Sequence, residues 1–88
     1  PQALFLMNHP FVREQAGAAA RRLLARPDLD DDGRVGLAYR LALGRWPSEA
    51  ERRVARGFVE GADAGTAEAR WTTFVQALFS SIDFRYVD

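Results

Sequence analysis

The chain has 88 residues, with 12 Arg plus Lys against 12 Asp plus Glu, one His and no Cys, so its formal net charge is zero. Hydrophobic residues make up 48% and charged residues 27%, a globular balance in a length that holds one domain and one modest core. The missing Cys excludes disulfide frameworks, thiolate metal sites and thiol nucleophiles; the neutral balance argues against a nucleic-acid binder; and no apolar run reaches the ~18 residues that span a bilayer.

Helical periodicity dominates from the first residue to the last. Residues 1–7 read as a short helix or a last helical turn, with Leu4, Leu6 and Met7 apolar. Asn8-His9-Pro10 interrupts it and starts the next, because Pro suits a first helical turn and Asn8 or His9 can cap it. A helix over about 10–26 follows, with Val12, Ala16, Ala19 and Leu23 in one stripe and Phe11, Ala20 and Leu24 widening it. Gly17 lies inside it, which a close helix crossing would explain.

Pro27 ends that helix, and residues 26–33 form an acidic, turn-rich loop. The next helix runs over about 31–43, its start favoured by Asp30, Asp31 and Asp32 at the positive end of the helix dipole. Val35, Ala38, Tyr39 and Ala42 line one side, Leu37 and Leu41 extend it, and Gly44 is placed to close it in the left-handed conformation. Ser48-Glu49-Ala50-Glu51 is a capping box and the clearest start signal in the chain. The helix it opens runs to about residue 61, with Ala50, Val54, Phe58 and Val59 at helical spacing. After a loop between Gly61 and Gly65, Thr66 caps a helix over about 67–81. Trp71, Phe74, Val75, Leu78 and Ile82 make its apolar stripe, the strongest of all. The aromatic tail, residues 83–88, is expected to fold back onto the core.

No segment alternates with period two, and no internal repeat or low-complexity tract is visible. The expected fold is therefore all-α: a small orthogonal or bundle-like domain of four to five helices without a sheet, one domain over residues 1–88. The chain opens at Pro1 without Met, which reads as a piece of a longer protein, and no signal peptide is expected within these residues.

The residues that could carry chemistry have simpler structural roles. Asp28-Leu29-Asp30-Asp31-Asp32-Gly33 matches D-x-D-x-D-G, the opening half of a calcium loop. The second half fails, because Gly36 stands at position nine and Tyr39 where a bidentate Glu belongs. An acidic loop feeding a helix N-terminus is the preferred reading, with a weak Ca²⁺ site at Asp28, Asp30 and Asp32 as the lesser one. His9 has no H-x-x-x-H partner, Ser48 is better used as a cap, and Ser80-Ser81 lie at a helix end. Glu49, Glu51, Glu60 and Glu68 fall mostly opposite the apolar stripes. The twelve cations, all Arg, are scattered among acids as on a solvated helical surface. Trp71, Phe74, Phe79, Phe84 and Tyr86 cluster near the C-terminus with Phe58 and Trp46 available nearby; they read as core, or as an interface where only partly buried. No catalytic, cofactor-binding or metal-ligating residue is assigned.

Three stretches together carry a resemblance: residues 1–12 with Pro1-Gln2-Ala3-Leu4 and Asn8-His9-Pro10-Phe11-Val12; residues 38–48 with Tyr39-Arg40-Leu41 and Gly44-Arg45-Trp46-Pro47-Ser48; and residues 76–88 with Ser80-Ser81-Ile82-Asp83-Phe84-Arg85-Tyr86-Val87-Asp88. The chain resembles the C-terminal part of a family of unknown function found in large planctomycete proteins, often with an N-terminal c-type cytochrome domain. The resemblance implies a helical terminal module in a periplasmic or secreted parent. It implies no activity, and with no C-x-x-C-H here any haem belongs to another part of that parent. The acidic loop at 28–32 departs from the family's pattern. The leading expectation is a non-enzymatic helical scaffold or protein-interaction module. Its partners would be other domains of the same parent, or another protein, but not nucleic acid. The alternative is a piece that completes an enzyme or redox unit whose active site lies in other domains. Within the matched residues, Arg45 is expected to bond the last carbonyls of its helix. Arg40 and Arg45 are expected to pin the tail through Asp83 or Asp88.

Overall fold

Each helix starts where a side chain can accept from the first free backbone amides. His9 Nδ1 accepts from the Phe11 amide at 3.2 Å, and Asp30 Oδ1 from the Gly33 amide at 2.8 Å. Ser48 Oγ accepts from the Glu51 amide at 3.1 Å while the Glu51 carboxylate accepts from the Ser48 amide at 2.8 Å, completing the capping box. Thr66 Oγ1 accepts from the Ala69 amide at 3.1 Å. The computed structural model describes residues 9–61 and 65–87, with side chains through residue 81. Four helices result: α1 (Pro10–Leu24), α2 (Asp31–Leu43), α3 (Glu49–Val59) and α4 (Ala67–Val87), with no strand among the described residues. Gly44 closes α2 at φ 72°, as its position predicted.

Two expectations need correction. The last helix does not stop near residue 81; its backbone stays helical to Val87, so the tail continues the helix instead of turning back at Asp83. The expected helix at 1–7 and the pinning of Asp83 or Asp88 by Arg40 and Arg45 lie outside the described residues and side chains. In α3, Ala50 and Val54 face solvent, Val54 at 63% exposure, while Ala55 and Val59 are buried. Glu51 turns back to the cap and buried Pro47 anchors the entry, and this sets the rotation that turns Ala55 and Val59 inward.

The core forms around α4. Trp71, Phe74, Val75 and Leu78 are buried along it, and it packs against each of the other three helices. Phe74 is the hub. Its ring meets Trp71 edge-on at 5.7 Å, Tyr39 of α2 at 6.3 Å and Phe58 of α3 at 6.2 Å. Such ring pairs add roughly 0.5–1.5 kcal/mol each beyond area burial. On the other side α1 lies antiparallel to α4: Arg13 donates to Gln76 at 2.8 Å, Gly17 faces Thr72, and Arg21 pairs with Glu68 at 3.0 Å. The buried residues of α1 are Ala16, Gly17, Ala20 and Leu23, mostly small, so the two backbones approach closely.

A recurring device joins the helices in pairs. Arg34, fourth residue of α2, donates through Nε to the Leu23 carbonyl at 2.9 Å and through Nη2 to the Arg26 carbonyl at 3.0 Å. Arg70, fourth residue of α4, donates through Nε to the Val59 carbonyl at 2.9 Å and through Nη1 to the Gly65 carbonyl. Each arginine thus bonds a carbonyl in the last turn of the preceding helix, the Leu23 carbonyl also accepting from the Arg26 amide at 3.2 Å. A spacing of 36 positions separates Arg34 from Arg70, Leu23 from Val59, and the cap Asp30 from the cap Thr66. The sequence shows no repeat, but the helix pairs α1–α2 and α3–α4 share this construction.

Replacing Arg34 or Arg70 by Ala is expected to lower stability by about 1.5–3 kcal/mol each, the usual range for hydrogen bonds to a charged donor. Lys should recover only part, because it lacks the guanidinium fork. Urea unfolding measures both. Gly17→Ala should raise stability by roughly 0.5–1 kcal/mol. A Cβ there would stand 3.5 Å from Arg21 Nη1 and 3.9 Å from Thr72 Oγ1, ordinary contact distances. A lower urea midpoint for that variant would mean a tighter α1–α4 crossing.

Candidate functional site

The carboxylates of the acidic loop turn to separate protein partners. Arg26 grips Asp28 with two bonds, Nε to Oδ1 at 3.0 Å and Nη2 to Oδ2 at 2.8 Å. Asp30 caps α2, Asp31 pairs with Arg34 at 3.2 Å, and Arg56 of α3 grips Asp32 at 2.6 and 3.2 Å. Asp28 and Asp32 are both held below the ordinary carboxylate range, chiefly by hydrogen bonds from Arg26 and Arg56 respectively. Among the described residues no three His, Asp or Glu side chains are grouped to hold a metal ion. Asp28, Asp30 and Asp32 therefore serve a loop brace, a helix cap and an α2–α3 tie.

The link between α2 and α3 is closed by a second clamp. Arg45 meets Glu51 fork to fork, Nη1 to Oε1 and Nη2 to Oε2, both at 2.8 Å. Arg45 Nη1 also donates to the Trp46 carbonyl at 3.2 Å, so it does not bond the last carbonyls of α2 as expected. Its guanidinium lies 5.8 Å from the centre of the Tyr39 ring. Tyr39 itself is buried, and burial is the main cause of its raised hydroxyl pKa. The Arg45 bonds, followed by the Ser48 amide, push the Glu51 carboxyl down to about 2.

Trp46 does not join the C-terminal aromatic cluster. It lies across Gly36 on the outside of α2, where a Cβ on Gly36 would stand 2.7 Å from Cζ3 of its ring. The Arg40 guanidinium sits 5.1 Å from the ring centre on this surface. Only glycine fits at 36 without moving the indole.

Sequence reasoning also missed a buried polar line on α4, formed by Thr72, Gln76 and Ser80. Thr72 Oγ1 donates to the Glu68 carbonyl at 2.7 Å, and Gln76 accepts from Arg13. Ser80 Oγ is buried without a partner among the described residues. The spacing of four between these residues was the available signal.

An apolar groove of about 610 Å³ lies where α1, α2 and α4 meet. Leu23 of α1, Leu37 and Leu41 of α2, and Val75, Leu78 and Phe79 of α4 supply its walls. Leu41, expected to extend the buried side of α2, is 77% exposed and forms a lip of this groove. The charged residues on the walls among the described residues are Arg22 and Arg26. Such a surface offers apolar burial beside two guanidinium groups.

Residues 1–59 match the PSD1 family, described as "Protein of unknown function (DUF1553)". The chain belongs to this family. The DUF1553 match takes in α1, α2 and α3, and with them the acidic loop, Tyr39 and the Arg45–Glu51 clamp. Two of the three stretches that carry the resemblance, 1–12 and 38–48, fall inside it; the third, 76–88, lies beyond. In this DUF1553 chain, α4 is therefore outside the matched residues although it supplies the centre of the core. No curated protein and no solved structure matches the chain.

The Glu51 clamp makes stability depend on pH with a definite sign. Folding depresses its pKa from 4.5 to about 2, so its contribution is full above 4.5 and drains as pH falls toward 2. Glu51→Gln should be less stable than the parent chain at neutral pH, with the gap narrowing across that window. Thermal unfolding at several pH values measures the gap; a constant gap would show that Glu51 is not held by ionic bonds.

Proposed function

We propose that this chain is a non-enzymatic helical scaffold or interaction module, the C-terminal part of a larger extracytoplasmic protein, which docks through its groove against another polypeptide segment of that protein. The observation that supports this most directly is the groove itself: apolar walls and two arginines, with no carboxylate, hydroxyl or imidazole among the described residues that line it. The fork-to-fork arginine pairs are engaged in fixing loops and caps, which gives them structural work. A periplasmic or secreted location, a planctomycete parent and a c-type cytochrome domain elsewhere in it rest on the resemblance of the three stretches. No helix of the described residues is long and apolar enough to cross a membrane.

A second reading is that the chain completes an enzyme or redox unit whose chemistry lies in other domains. The same open groove favours it, since a neighbouring catalytic domain would also cover apolar walls. The two readings differ in what the chain does by itself. As a module it should sediment as a monomer and unfold in one cooperative transition. As a slice of a larger domain it should associate and lose structure gradually on heating. We further infer that the module works without a metal cofactor, because Asp28, Asp30 and Asp32 each have a protein partner. Calorimetric titration with millimolar Ca²⁺ should give no binding heat; a saturable heat removed by Asp30→Asn would restore the calcium reading.

A further inference from the structure

Resting on the docking role proposed above, we infer that the α1–α2–α4 groove takes an amphipathic helix that carries carboxylates on the flank facing α1. Three features of the groove select this occupant. Its walls are side chains of helices, whose backbone groups are already paired. The carbonyls of Leu23 and Arg26 at this end of the groove already accept from Arg34 and from the backbone amides of Arg26 and Leu29. An extended strand laid there would bury its own amides without partners, whereas a helix arrives with its backbone satisfied. Leu37 and Leu41 on one side and Leu78 and Phe79 on the other leave an apolar trough for a ridge of side chains at i, i+3, i+4 and i+7.

The third feature is charge. Arg22 on α1 and Arg26 just past its end stand on the same wall, and no acid among the described residues lines the groove. Arg26 is bound to Asp28, while Arg22 is exposed and makes no ion pair among the described residues. A carboxylate on the incoming helix completes Arg22; a lysine there is repelled. The same charge disfavours a second copy of this chain. The exposed apolar ridge of α3, at Ala50 and Val54, is flanked by Arg53 and would bring like charge against Arg22.

The test uses two labelled helical peptides of about 15 residues. Both carry Leu at i, i+3, i+4 and i+7; one has Glu along a flank and its twin has Lys. Fluorescence anisotropy at low salt should show the Glu peptide binding the chain about three- to fivefold tighter than the Lys twin, the upper range for an exposed charge pair. Arg22→Glu should reverse that preference. Leu41→Asp should weaken the Glu peptide about tenfold or more, the loss of one buried leucine contact. Both positions are exposed, so thermal unfolding should remain cooperative in each variant. Equal binding of the two peptides, or none, by a chain that unfolds cooperatively would overturn this inference and leave the module reading intact. Failure of the chain to unfold cooperatively would overturn the module reading itself. Sedimentation showing a dimer that Leu41→Asp dissolves would place a second copy in the groove and overturn the acidic helix.

Discussion

The structure depends on one face of α4. Phe74 touches rings contributed by α2 and α3, and the opposite side of the helix accepts α1 along an antiparallel seam. Beside the Val35 and Tyr39 of α2, the other two helices bury little by themselves: α1 contributes Ala16, Gly17, Ala20 and Leu23, and α3 contributes Ala55 and Val59. Small residues make close approach practical but remove little apolar area from water. The large side chains of α4 supply that area. The residues that define family membership, 1–59, therefore depend on a helix outside the match to close their core.

Arginine does the joining. Arg34 and Arg70 tie the start of one helix to the end of the preceding one, Arg45 closes the α2–α3 link, and Arg56 ties α3 to the start of α2. Each uses two or more nitrogens at fixed angles, which a lysine ammonium cannot do. Exposed pairs such as Arg26–Asp28 add little energy in water. Their effect is geometric, because they fix which way loops and caps point. This use of charge also accounts for the acidic loop, whose carboxylates are spread over an arginine brace, a cap and an inter-helix tie.

Local signals made much of the fold legible. Ser48 with Glu51, Asp30, Thr66 and Gly44 start or end helices through contacts within a few residues, and the chain shows those contacts directly. The stripe Trp71, Phe74, Val75 and Leu78 was readable because it is both apolar and periodic. What escaped depends on neighbours distant in sequence. The rotation of α3 is set by where Glu51 and Pro47 anchor, so counting apolar residues chose Val54 over Ala55. Gly36 is required by an indole ten positions later, and Arg34 and Arg70 recur by the carbonyls they reach, with hardly any shared sequence around them. The groove was hidden for a related reason: Leu41 fits the apolar stripe of α2, but α1 and α4 stop short of covering it.

If α4 organises the molecule, its central amides should be the last to open. Native-state hydrogen exchange resolves this residue by residue. The slowest amides should fall between Trp71 and Leu78 and along the facing stretch of α1 from Ala16 to Leu23. If α4 exchanges as fast as the loop around Gly65 while α2 and α3 stay protected, the core does not depend on it and the account fails.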